Sequence, residues 1–136
     1  MKLKLLFLSA ILLFLSCEKD QKDELEGKWQ LKEVTYSDGT THAVDTVWYN
    51  FMNTLFMIQL YAPSLGEDGE YHHRHGLRNW EDDKTLFIEL TDPEPVEDFL
   101  PLTDWTKRTR SFTVEKVTGS KLILSSEDKT YSFRKF

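Results

Sequence analysis

The chain has 136 residues, a formal net charge of −6 and 40% hydrophobic residues. That length is one domain's worth, and the acidic balance argues against nucleic acid, which favours basic patches, and against attachment through an anionic lipid surface. A single cysteine excludes an internal disulfide, so the fold must rest on its core; a domain of this size can bury roughly two-thirds of its unfolded surface.

In chain order, Lys2 and Lys4 form a short basic start, and Leu5–Leu15 is apolar apart from the small residues Ser9 and Ala10. This is the pattern of a secretory signal peptide over residues 1–16. The run is too short to span a membrane, which takes roughly 20 apolar residues. Its end reads Phe14-Leu15-Ser16-Cys17, which resembles the lipobox of bacterial lipoproteins. The resemblance implies that Cys17 is acylated and becomes the first residue of the mature chain. Several acyl chains anchor a protein almost permanently, since each buried CH₂ adds about 0.8 kcal/mol. Loss of residues 1–16 removes Lys2 and Lys4 and no acid, so the charge moves from −6 to −8. Residues 18–26, EKDQKDELE, are dense in charge and are expected to form a disordered tether. Acids after the lipidated cysteine resemble a surface-export signal of Bacteroidetes-type lipoproteins. The expected location is the cell envelope, on the periplasmic face of the outer membrane or at the cell surface.

From Gly27 onward the chain reads as short strands. GKWQLKEVTY alternates Trp29 and Leu31 against Lys28, Gln30 and Lys32. SDGT is a turn signal. DTVWYNF is a β-branched and aromatic run, and Met52-Asn53 turns it into TLFMIQLYA. The loop PSLGEDG leads to EYHHRHGLRNW, the turn EDD and KTLFIELT. RSFTVEKVTG, KLILSS and KTYSFRKF then alternate cleanly across two short hairpin connections. The long excursion Asp92–Lys107 is expected to hold a short helix between strands five and six. There Asp92 is the cap, Pro93 sits in the first turn, Val96, Phe99 and Leu100 form the apolar face, and Pro101 is the stop. Eight antiparallel strands in up-and-down order predict an all-β barrel over residues 27–136, because closure removes sheet edges. Such a barrel is filled by its own side chains or holds one small ligand. The predicted inward set is Leu31, Phe56, Ile58, Leu60, Tyr71, Leu86, Ile88, Phe112, Val114, Leu122, Leu124, Tyr131 and Phe133.

Gly27-Lys28-Trp29 is a G-x-W at the start of strand one, and Arg134 stands near the end of the last strand. With the meander, the chain from Leu25 to Phe136 resembles the small lipocalin-like lipoproteins of Bacteroidetes. The resemblance implies that Trp29 closes one end of the barrel and that Arg134 packs across its ring, a contact worth about 0.5–2 kcal/mol. It also implies binding of a small apolar or amphipathic ligand near the barrel mouth. The chain lacks the second family motif, Thr-Asp-Tyr, and a C-terminal helix.

Few residues suggest chemistry. In YHHRHG, His73 and His75 project to one face and His72 to the other. Two imidazoles so placed can share a metal ion if a carboxylate or His42 supplies a third ligand. The competing reading, a rim strand carrying polar aromatics, is the stronger, and no cofactor is expected. No G-x-S-x-G appears, the only thiol is assigned to lipid, and the carboxylates cluster in loops, so no enzyme is expected. Tyr71, His73, His75, Trp80 and Trp105 are the candidate ligand contacts, although packing into the core is the stronger reading for the two tryptophans. Two further functions stay open: a solid barrel docking a protein partner, with Trp80 and Trp105 as its aromatic patch, and a histidine-based metal binder.

Overall fold

The computed structural model describes residues 21–136. The expected signal segment 1–16, Cys17 and residues 18–20 lie outside the described residues. A helical turn α1 (Gln21–Glu24) precedes β1 (Gly27–Thr35), β2 (Thr41–Ala43), β3 (Val47–Met52), β4 (Leu55–Ala62), β5 (Glu70–Trp80) and β6 (Thr85–Leu90). A 3₁₀ turn at Leu100–Leu102 separates these from β7 (Thr109–Val117), β8 (Lys121–Ser126) and β9 (Lys129–Lys135).

The strands pair antiparallel in the order β2-β1-β3-β4-β5-β6-β7-β8-β9, and β1 also pairs with β9. Eight strands, β1 and β3 to β9, therefore form the expected closed up-and-down barrel. The short β2 pairs only with the outer half of β1 and is fully exposed. The β8–β9 connection is Glu127-Asp128, both with positive φ (53° and 63°), as a tight two-residue hairpin requires. Register defines two ends. The base carries Gly27, Met52, Leu55, Trp80 and Val117; the mouth carries Thr35, Val47, Ala62, Glu70, Thr109 and Lys129.

Period-two alternation makes the core. Phe56, Ile58 and Leu60 of β4, Leu86, Ile88 and Leu90 of β6, Phe112 and Val114 of β7, and Leu122 and Leu124 of β8 are all buried. Tyr131 and Phe133 continue the set on β9. One predicted inward residue is misplaced. Tyr71 is 64% exposed, on the outer face. The cause is register: β4 sets Leu60, Ile58 and Phe56 opposite His72, Arg74 and Gly76, and residues opposite each other share a face. The inward positions of β5 are therefore the even ones, and two of them are arginines.

Two further expectations are corrected. The segment after β6 contains no α-helix, only the 3₁₀ turn, with Pro101 inside it rather than after it. Asp92, Glu94 and Leu100 each precede a proline, which disfavours helical φ/ψ at three positions. Asp92 caps a turn instead, accepting from Glu94 N at 3.0 Å and His75 N at 3.2 Å. Val96 and Phe99 are buried as expected, but from an irregular strap. The tether expectation fails for residues 21–26, which pack across the base. Leu25 is fully buried and its carbonyl accepts from Trp29 Nε1 at 2.8 Å. The Glu26 carboxylate accepts from Asn53 N and from Arg78 Nη2 (2.5 Å).

Candidate functional site

The base is closed by the G-x-W motif. Gly27 has φ 121°, and a Cβ there would collide with the Lys135 side chain. Lys135 crosses this gap, donates to the Glu26 carbonyl and holds its ammonium 4.5 Å from the centre of the Trp29 ring. The expected partner Arg134 is exposed. Trp29 pairs with Lys135 and Leu31 with Phe133, so alternation turns 133 and 135 inward and 134 outward. The cation over the tryptophan is therefore Lys135.

The mouth is spanned by the strap between β6 and β7. Trp105 inserts deeply, 3% exposed, stacked 6.1 Å from Phe56 and donating from Nε1 to Tyr49 Oη at 2.9 Å. Burial raises the Tyr49 pKa strongly, so its hydroxyl stays neutral. Arg74 pins the other part of the strap, donating to the Pro95 carbonyl at 3.0 and 3.1 Å and pairing with Asp98 at 3.3 Å. Much of the interior is thus side chain.

One cavity of about 160 Å³ remains at the mouth. Leu31, Val34, Val44, Val47 and Ile58 form its apolar wall; Tyr36, Tyr49, Thr103, Asp104 and Tyr131 form its polar side. Behind the polar side lies a network centred on the buried Arg110. Arg110, 5% exposed, donates to Tyr131 Oη at 2.5 Å and to Asp104 Oδ1 at 2.9 Å, and it pairs with Glu127 at 3.2 Å. Tyr131 in turn donates to Asp104 Oδ2. Burial pushes the Asp104 carboxyl up, but the Tyr131 hydroxyl and the Arg110 and Lys129 charges outweigh it and hold it below its ordinary range. Burial and the adjacent Asp104 raise the Tyr131 pKa. The cavity therefore offers an apolar wall and a charged but internally neutralised rim.

The structure separates the sequence-predicted site residues. Trp105 is core. Trp80 lies at the base, with Lys22 Nζ 5.5 Å from its ring centre. Tyr71, His73 and His75 are on the outer surface. His73 and His75 do share a face, with ring centres 5.1 Å apart, but His75 Nδ1 is bonded to Asp92 Oδ2 at 3.0 Å. His42 lies on β2 against Tyr36. Among the described residues no cluster of three metal-ligating side chains occurs. Asp104 and Arg110 escaped sequence reading as site residues. Their signal was a charge in register with Phe112 and Val114, at 110, beside an acid–tryptophan pair.

Residues 11–136 match the family described as "Lipocalin-like domain". A lipocalin-like protein from Bacteroides uniformis ATCC 8492 superposes with a TM-score of 0.71 and 33% identity, covering 83% of this chain and 99% of that one. An uncharacterized protein from Bacteroides eggerthii DSM 20697 superposes with a TM-score of 0.67 and 27% identity, covering 82% and 99%. No curated protein matches the sequence.

Proposed function

Since this chain belongs to the lipocalin-like domain family, we propose that it is a non-enzymatic, outer-membrane-anchored lipoprotein that binds a small amphipathic ligand at the barrel mouth. The observation that carries the binding reading is the 160 Å³ cavity between the β1–β3–β4 wall and the strap. A cavity of about 150 Å³ lined by apolar side chains accepts a benzene-sized molecule. The ligand is therefore a single ring or a short branched chain, with one polar group directed at Asp104, Thr103 or Tyr36. The family does not supply its identity, because sites are grafted on folds.

Calorimetric titration with the single-ring probes p-cresol and phenol tests this reading. Val47→Phe, which fills the apolar wall, should abolish binding without unfolding the barrel. Equal heats from the wild type and Val47→Phe, together with no ligand retained in native mass spectrometry of the cell-extracted protein, would sink it.

The anchor reading rests on Ser16-Cys17 after the apolar run. Cys17→Ser should release the chain from the membrane fraction and block acyl labelling; a variant that still labels and sediments refutes the anchor.

A further inference from the structure

We infer that the base corner of the barrel, formed by Met52, Leu55 and Leu77, rests in the lipid surface beside the acyl anchor. The inference builds on the lipid-anchor reading of Cys17 and adds an orientation to it.

Among the described residues seven large hydrophobic side chains are exposed, and three of them, Met52, Leu55 and Leu77, lie together at the base. Met52, Leu55 and Leu77 are 61%, 51% and 48% exposed, and Phe136 67%. Three of these form one continuous row, since Met52 pairs with Leu55 and Leu55 with Leu77 across β3, β4 and β5. The row opens into a largely apolar cleft of about 450 Å³, lined by Met52, Leu55 and Met57 with Glu26, Lys28 and His75 at its side. Phe136 lies to one side of the row: its ring packs edge-on against Trp48 at 6.0 Å, with Lys28 4.9 Å from its centre. Contiguous exposed apolar surface of this kind marks an interaction site.

Chain length selects the occupant. Gln21, the first residue of α1, follows Cys17 by four positions. An extended chain gains at most about 3.6 Å per residue, so Gln21 lies within about 14 Å of the lipidated residue. The segment that follows is bound to this same corner, because the Glu26 carboxylate grips the backbone of Asn53, next to Met52. Leu77 and Tyr71 are six positions apart on β5, roughly 20 Å along the strand, so the mouth stands off while the base is held at the bilayer. Glu81, Asp82 and Asp83 share the base, at the β5–β6 turn. Contact is therefore made by the apolar corner, through burial in the acyl and headgroup boundary rather than through charge.

The test uses the full-length, acylated protein in vesicles of phosphatidylcholine and phosphatidylethanolamine. A fluorophore is placed on Leu55→Cys or Met52→Cys at the base, or on Tyr71→Cys at the mouth. Doxyl-labelled lipids then quench from within the bilayer. The expected result is severalfold stronger quenching at 52 and 55 than at 71. The variant Leu77→Glu, at an exposed position of the row, should reduce quenching at 52 to the level at 71. Equal, weak quenching at 55 and 71 in protein that floats with vesicles overturns the docking and leaves the anchor standing. If position 55 in such protein crosslinks to one protein in cell envelopes, the corner is a protein interface instead. Protein that fails to float and carries a free Cys17 overturns the anchor and the docking together.

Discussion

At the scale of the residue, the base illustrates how a one-position difference decides a role. Lys135 and Arg134 are adjacent cations, yet only Lys135 crosses Gly27 to reach Trp29. Lys135→Ala should cost about 1–2 kcal/mol, combining a cation–π contact with a hydrogen bond to the Glu26 carbonyl. Arg134→Ala should stay within about 0.5 kcal/mol, as exposed substitutions do. Urea unfolding of both variants checks the pair, and the reverse order would refute the assignment. A second residue-scale expectation concerns Asp92. Hydrogen bonds from Glu94 N and from His75 lower its pKa to about 2. A carboxyl depressed in the folded state contributes stability above its unfolded pKa of about 3.9, and loses it as pH falls through the folded value. The stability gap between wild type and Asp92→Asn should therefore be full above about pH 5 and close towards pH 2. A gap that does not change with pH would contradict this. Trp29 as the closing ring was readable from Gly27-Lys28-Trp29, whereas its cation required the β1–β9 register.

At the scale of the element, β5 and the strap carry the departures from the sequence reading. Strand identity was legible in EYHHRHGLRNW, but its facing was not. Arg74 and Arg78 look like solvent-facing residues, and they turn inward because one holds the strap and the other holds Glu26. Long cationic side chains can line a barrel's ends when their heads find carboxylates and carbonyls there. Gly76, between them, sits where a Cβ would meet the Glu89 carbonyl, so this strand approaches β6 closely. The strap was expected as a helix from its i, i+3, i+4 spacing; Val96 and Phe99 are buried and Leu100 partly so, but X-Pro steps at Asp92, Glu94 and Leu100 disfavour the helix. Its strongest contribution is Trp105. Trp105→Ala should destabilise the domain by about 3–5 kcal/mol, since it removes a large buried ring and leaves a void. It should also enlarge the mouth cavity, so that ligands with two fused rings bind where only single rings did. Thermal unfolding and titration with naphthol measure the two effects; a near-neutral variant would show that the strap does not plug the barrel.

At the scale of the whole molecule, the buried hydrophobic residues form one cluster that runs from Leu25 at the base to Trp105 at the mouth. A single core in a domain below about 150 residues predicts one cooperative transition. Near-ultraviolet and far-ultraviolet circular dichroism should give coincident urea midpoints, and separated midpoints would mean that the strap unfolds independently. The candidate site was only partly legible at this scale. Tyr131 was expected inward and Trp105 as a ligand contact, but nothing local in the sequence joins Asp104, Arg110 and Tyr131.

The sequence by itself determined the eight barrel strands, though not the short β2, together with the up-and-down order and nearly all of the inward set. Those features depend on period-two alternation and short turns, which are written in neighbouring residues. Only the tertiary structure decided which face of β5 is inside, which cation covers Trp29, that Trp105 fills the mouth, and that residues 21–26 belong to the folded base. Each of these depends on a partner distant along the chain: Ile58 for Arg74, Gly27 for Lys135, Tyr49 for Trp105, Asn53 and Arg78 for Glu26. Side-chain period is two, so a one-residue difference in pairing exchanges inside for outside, and that register exists only once the barrel has closed.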